Sequence, residues 1–199
     1  MSLYIDTEDL KATLQIQNTE FADDDLDRAA AEASDLVDEI CGRTFGKDTE
    51  DTTRYFTPED PTLLRIDDLV SVTSVAIDRD NDGTYEETLT VGTDFRLGPP
   101  NAQVKGEPYT WLEAINGQTL RTRGYVKIVG TFGWPTVPTT VVSETGIMAA
   151  MLVSMYREHP FGIMAFAEGG MRIGDITHGS RRRLKKFTIK PALASPRLG

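Results

Sequence analysis

The sequence predicts an α+β protein: a small helical bundle (two N-terminal helices plus a later apolar helix) with an inserted antiparallel β unit and an extended C-terminal arm. Three observations lead there. Apolar residues recur at helical spacing before Gly42 and again after Pro138. Between those stretches the period shortens to that of strands, with turn residues separating short apolar runs. Near its end the chain carries SRRRLKKFTIK, Ser180 to Lys190, a basic stretch without an acid.

Taken in order, Asp6 or Thr7 caps a first short helix, and Glu8 and Asp9 suit the positive end of its dipole. Leu10 and Leu14 share one face at i, i+4. A longer helix is predicted from about Ala22 to Cys41. Asp23, Asp24 and Asp25 crowd its first turn, Leu26, Ala29, Ala30, Ala33, Val37 and Ile40 form an apolar stripe, and Gly42 stops it. The alanines allow another helix to come close, from the same chain or from a neighbouring copy.

From Thr53 to Trp134 the pattern is β, with runs around Leu64–Ile77, Tyr85–Val91, Phe95–Leu97, Trp111–Ile115 and Tyr125–Val129. Asn81-Asp82-Gly83, Gly98-Pro99-Pro100-Asn101, Asn116-Gly117 and Gly124 supply the turns. GTFGWPTVP ends this region, and Pro135 and Pro138 suit the start of a third helix over about Thr139 to Arg157. Val141, Thr145, Met148, Leu152 and Met155 lie on one stripe of it, with Ile147, Met151 and Tyr156 beside them, a face wide enough for a central helix. The organisation is therefore 1–52 for the N-terminal helices, 53–134 for the β-rich unit and 135–162 for the third helix, with 163–199 a glycine-containing linker and basic arm.

Composition bounds the function. The 199 residues, 39% hydrophobic and 26% charged, are ordinary for a chain with a real core. MSLYIDTEDL lacks the basic and apolar regions of a signal peptide. The apolar run Ile147 to Tyr156 falls far short of the ~20 residues of a membrane span. These features imply no membrane partner, and a protein made in the cytoplasm and used there or carried out inside something larger. Cys41, the single cysteine, falls in a helical apolar pattern and reads as packing.

No catalytic constellation emerges. His159 and His178 are the only histidines and neither has a partner at ligand spacing. Nucleophile-elbow, phosphate-loop, dinucleotide and Cys-x-x-Cys motifs are missing, so an enzyme is not expected and no cofactor is called for. The sharpest motif is DRDNDGTYE, Asp78 to Glu86, which sets Asp78, Asp80 and Asp82 at the first, third and fifth places of an EF-hand-like loop with Gly83 sixth. The twelfth place is Leu89, not a bidentate glutamate, and the flanks read as strands. Two readings stay open: a hairpin turn using Asp and Gly for their backbone preferences, or a site binding Ca²⁺ weakly through Asp78, Asp80 and Asp82.

Charge is unevenly placed. Residues 1–70 hold 19 acids and 6 bases, whereas 180–199 hold seven bases and no acid. Setting that +7 apart from the total of −10 leaves −17 on the body, which would repel a DNA duplex within the screening length of ~10 Å. Leu184, Phe187 and Ile189 interleave the bases, the last two in strand-like alternation. Such a segment reads as docking on a partner's sheet edge or acidic groove, against the alternatives of a solubilising tail or a nucleic-acid arm.

The ordered set TEDLKATLQI, DEICGRTF, LLRIDDLVSVTSVAIDRDNDGTYEETLTVGTDFRLGPPNA, VKIVGTFGWPTVP and REHPFGI resembles the head–tail connector (adaptor) proteins of long-tailed bacteriophages, over roughly residues 4–165. The resemblance implies a structural virion protein located in the neck, at the head–tail interface. It implies a homo-oligomeric ring of about twelve copies below the portal, extending the DNA channel towards the tail. The partners implied are the portal protein, the next connector or stopper ring of the neck, and passing genomic DNA without specific binding. Within that expectation, Arg181, Arg182, Arg183, Lys185, Lys186, Phe187 and Ile189 dock on the portal, the alanine face of the second helix is a ring contact, and removal of everything after Gly179 leaves the body folded. Readings from other classes are a Ca²⁺-stabilised binding module of a virion or cell surface and a small nucleic-acid-binding accessory protein.

Overall fold

The computed structural model describes residues 3–14, 21–58, 60–158 and 173–189. The chain divides into two compact units, one of residues 1–45 with 137–199 and one of residues 46–136.

The first unit is helical. α1 (Thr7–Leu14) is capped by Asp6, whose Oδ1 accepts the Asp9 N–H at 2.7 Å. α2 (Asp23–Cys41) begins without a side-chain cap, and its three leading aspartates meet the positive end of the helix dipole. It ends where Gly42 turns left-handed and donates its N–H to the Asp38 carbonyl at 2.7 Å. Lys11 ties the two helices through Asp23 at 2.8 Å.

The central helix of this unit is the predicted third one, Thr139–Glu158, which buries Val141, Met148, Ala149, Leu152 and Val153. It packs on α2, where Ala29, Ala30 and Ala33 are fully buried. That corrects the reading of the alanine face as a ring contact: its small side chains admit the chain's own helix and leave nothing for a neighbour. Tyr156 adds a polar tie, donating to Glu32 under the guanidinium of Arg28, whose Cζ lies 4.1 Å from the ring centroid.

The largest departure from expectation lies at the C-terminal end. Residues 163–172 of the expected linker, and 190–199 of the arm, fall outside the described residues. Ile173–Leu184 is an α-helix, continued by a 3₁₀ turn over Lys185–Phe187. The basic segment is therefore helical where an extended, strand-like arm was predicted. Ser180, Leu184 and Phe187 lie inward at helical spacing, and Arg181, Arg182 and Arg183 suit both the helix interior and its negative end.

The second unit is a six-stranded antiparallel sheet. Its strands are β1 (Thr52–Phe56), β2 (Leu63–Ile77), β3 (Glu87–Leu89), β4 (Phe95–Gly98), β5 (Tyr109–Ala114) and β6 (Val126–Phe132). The order is β1-β6-β2-β5-β4, with β3 pairing β2 beyond that path. Period-two alternation sets one face inward, so β6 buries Val126, Ile128 and Phe132 while Lys127, Val129 and Thr131 face away. Register irregularities along β2, between Arg65 and Leu69 and again near Ser71 and Ser74, let one long strand serve several partners. Leu64, Leu69, Ile77, Phe95, Leu112 and Leu120 complete the core. A four-residue helical turn, Ala102–Lys105, joins β4 to β5.

Candidate functional site

Two places drew attention in the sequence. The first is the turn that leaves β2. Asp78 follows Ile77 directly and is only 2% exposed. Its Oδ1 accepts the Asn81 N–H at 2.7 Å and its Oδ2 the Gly83 N–H at 3.1 Å. Its own N–H donates to the Tyr125 carbonyl at 3.1 Å, and its carbonyl accepts the Thr122 hydroxyl. Gly83 holds φ +89, which a residue with a Cβ adopts only under strain. A Cβ on Gly124 would stand 2.7 Å from the Asp78 carboxyl carbon, so glycine there lets the chain close over the turn. Asp82 Oδ1 accepts the Thr84 N–H at 2.7 Å. Arg79 braces the outside, pairing with Glu87 at 2.6 Å and donating to the Arg121 carbonyl at 2.7 Å.

The structure brings Asp78, Asp80 and Asp82 together, and adds a fourth acid. One carboxylate oxygen from each of Asp78, Asp80, Asp82 and Glu86 lies within 4.8 Å of the others. Asp80, Asp82 and Glu86 are exposed. Glu86 escaped the sequence reading because that reading looked for the glutamate at Leu89, which instead pairs with Val75 in the sheet and is buried. Chemically, four oxygens at that spacing suit a hard divalent cation. The hydrogen bonds of Asp78 and Asp82 independently account for those two residues as turn builders.

The second place is the basic segment. Arg183 donates to Glu144 Oε1 at 2.7 Å; the Glu144 side chain is 3% exposed and the Arg183 side chain 57%. The Phe187 ring packs edge-on against Phe45 with centroids 5.6 Å apart, and Tyr4 packs on Phe45 at 5.8 Å. The Ile189 N–H donates to the Cys41 carbonyl at 2.9 Å, stitching the chain to the end of α2. Below this contact the Tyr4 hydroxyl donates to Asp38 at 2.5 Å and accepts the Phe45 N–H at 2.8 Å. Burial, reinforced by Asp38, holds the Tyr4 hydroxyl far above the ordinary phenol range, and burial also raises Asp38 against the opposing Tyr4 bond. The Cys41 thiol is buried and pushed up to about 11, chiefly by desolvation, which leaves it unreactive as the packing reading expects.

The seven arm residues thus separate into two sets. Arg181, Arg182, Lys185 and Lys186 are exposed on one side of the helix and its 3₁₀ extension. Arg183, itself exposed, reaches the body through its ion pair with Glu144, and Phe187 turns inward as an anchor and not a ring offered to a partner; Ile189 keeps an exposed side chain on a tethered backbone. Glu144 and Phe45 are the partners the sequence reading passed over. An acid one turn from Val141 and Met148 on an apolar stripe is the signal that would have flagged Glu144.

No family model matches the sequence, and no curated protein matches it. Two of the solved structures similar to it share its fold over nearly the whole chain. One is a chain of the neck of an empty gene transfer agent particle, computed with sixfold symmetry: TM-score 0.59, 15% identity, covering 98% of this chain and 96% of that one. The other belongs to the virion of a native gene transfer agent particle: TM-score 0.56, 16% identity, covering 96% and 93%. At such identities the likeness is one of fold. Among the described residues, no helix is long and apolar enough to cross a membrane.

Proposed function

We propose that this chain is a structural virion protein of the neck of a phage-like particle: a connector that assembles as a homo-oligomeric ring under the portal, extends the DNA channel and joins head to tail. The observation that carries the reading is the end-to-end correspondence of fold with a neck chain, 98% of one chain on 96% of the other. The electrostatics suit it. A ring of subunits whose bodies each carry −17 presents like charge to a passing duplex, which then slides without sticking. Neither candidate place offers a nucleophile, a paired acid and base or an oxyanion donor set, which favours a structural over an enzymatic role.

Portal docking falls to Arg181, Arg182, Lys185 and Lys186, presented on a helix stapled to the body by Arg183, Leu184 and Phe187. The partner surface is an acidic one on the portal, met by four cations in fixed positions. The test is native mass measurement with negative-stain imaging of the concentrated protein, alone and with the portal from the same genome. Rings with a central hole, alone or only on the portal, are the expected result. A persistent monomer that ignores the portal overturns the reading.

A further inference from the structure

Three of the six tyrosines stand together on the outer face of the sheet. The β1–β6 register sets Tyr55 opposite Lys127, and Tyr125, two residues before Lys127, shares its face. Tyr55 lies 6.1 Å from Tyr85 and 6.5 Å from Tyr125, centroid to centroid. Clustering leaves two of them open, Tyr55 at 57% and Tyr125 at 50% exposed, with Tyr85 half-buried beside them. β1 ends the strand order and pairs only with β6, so among the described residues its outer edge carries no strand.

Two features give this surface a chemical preference. Lys127 already places its ammonium 4.4 Å from the Tyr85 centroid, so a ring of the cluster is in use as a seat for a cation. Tyr85 also adjoins Glu86 and the exposed Asp80 and Asp82, and Tyr125 is bonded through its carbonyl to Asp78. Exposed aromatic faces bordered by carboxylates favour a cationic segment, and proline strengthens such a ligand because its ring stacks on tyrosine and its backbone loses little freedom on binding.

The chain itself contains a segment of that chemistry. Residues 190–199 read KPALASPRLG, with Lys190 and Arg197, Pro191 and Pro196, and no acid. We propose that the tyrosine surface of one copy binds residues 190–199 of a neighbouring copy, with prolines on the rings of Tyr55 and Tyr125 and the cations towards Asp80, Asp82 and Glu86. Ten residues reach at most ~35 Å, which bounds how far the neighbour's surface stands from Ile189. This contact goes beyond the neck assignment and leaves Arg181, Arg182, Lys185 and Lys186 to the portal.

The test uses the full chain with p-benzoylphenylalanine in place of Leu193. Isotope-labelled and unlabelled protein are mixed and irradiated, and the linked peptides are mapped by mass spectrometry. Links between chains, landing on peptides that contain Tyr55, Tyr85 or Tyr125, are expected. Their yield should fall about fivefold or more in Tyr55→Ala/Tyr125→Ala and, separately, in Asp80→Lys, each checked for an unchanged circular dichroism spectrum. Links confined to one chain, links mapping elsewhere, no link at about 1 mM protein, or full yield in both variants overturn the proposal. Rings on the portal without such links would sink this contact alone; such links without rings would sink the neck reading and leave the contact standing.

Discussion

Asp78 and Glu144 are the two buried acids among the described residues, and they are satisfied in opposite ways. Asp78 accepts backbone N–H groups of its own turn, whereas Glu144 meets an arginine from a distant helix. Asp78→Ala would strip Asn81 and Gly83 of their acceptor and should destabilise the chain by about 2–4 kcal/mol in urea unfolding. The exposed Asp80→Ala should leave stability without calcium within about 0.5 kcal/mol of wild type. A calcium titration then separates the two roles of the turn: a rise in Tm that Asp80→Ala abolishes marks a cation site, and an unchanged Tm leaves only the turn. Tyr4 and Cys41 give an alkaline signature. Burial holds both protons more tightly in the folded chain, the thiol up to about 11. Their stabilising contribution is complete below the unfolded thiol value of about 8.5 and is lost as pH rises through 11 and beyond. Unfolding midpoints should therefore drop between pH 9 and 11, and Cys41→Ala should flatten the early part of that drop; a midpoint constant over this range would refute it.

Among the elements, those with strong periodicity were legible in the sequence. α2 starts one residue after its predicted beginning and ends at Cys41, and the Thr139–Glu158 helix matches to a residue. The inserted strands from β2 to β6 were legible because Asn, Gly and Pro punctuate them, whereas β1, Thr52–Phe56, was not singled out as a run. The helix Ile173–Leu184 was not legible either, since Gly174 and Gly179 break up its apolar pattern in the sequence. What decides it is tertiary: Leu184 and Phe187 are buried, and Arg183 reaches a carboxylate that local sequence cannot reveal. The Asp78 turn was legible in three of its four acids, because close sequence spacing maps onto one loop; Glu86 needed the course of β3. The helical C-terminal segment changes what a truncation does. Ending the chain at Gly179 removes two buried apolar side chains and the partner of Glu144, and should cost about 3–6 kcal/mol from the apolar burial alone. Ending it at Ile189 keeps all three anchors and should leave Tm within about 2 °C of the full chain. Equal melting of the two truncations would show that the segment contributes nothing to the helical unit.

At the scale of the whole molecule, the acidic body and basic C-terminal segment carry opposite charge, which on the proposed neck role suits them to different partners. The body's −17 opposes nucleic acid, so cations held on the same chain serve best where they face an acidic protein and not the duplex. Removing the segment cannot test this cleanly, because its inward side belongs to the core. Reversing only the outward charges can. Arg181→Glu, Arg182→Glu, Lys185→Glu and Lys186→Glu together change the face by eight units while leaving Arg183, Leu184 and Phe187 in place. The variant should keep the wild-type circular dichroism spectrum and melt within a few degrees of it, since each altered side chain is exposed. Its association with portal rings, followed by co-sedimentation, should be lost at low salt, where wild-type binding is strongest and weakens as ionic strength rises. DNA retention in a gel should be negligible for both proteins. Wild-type portal binding by the reversed variant would remove these four residues from the docking surface; DNA retention by the wild type, lost in the variant, would shift the segment to the nucleic-acid reading.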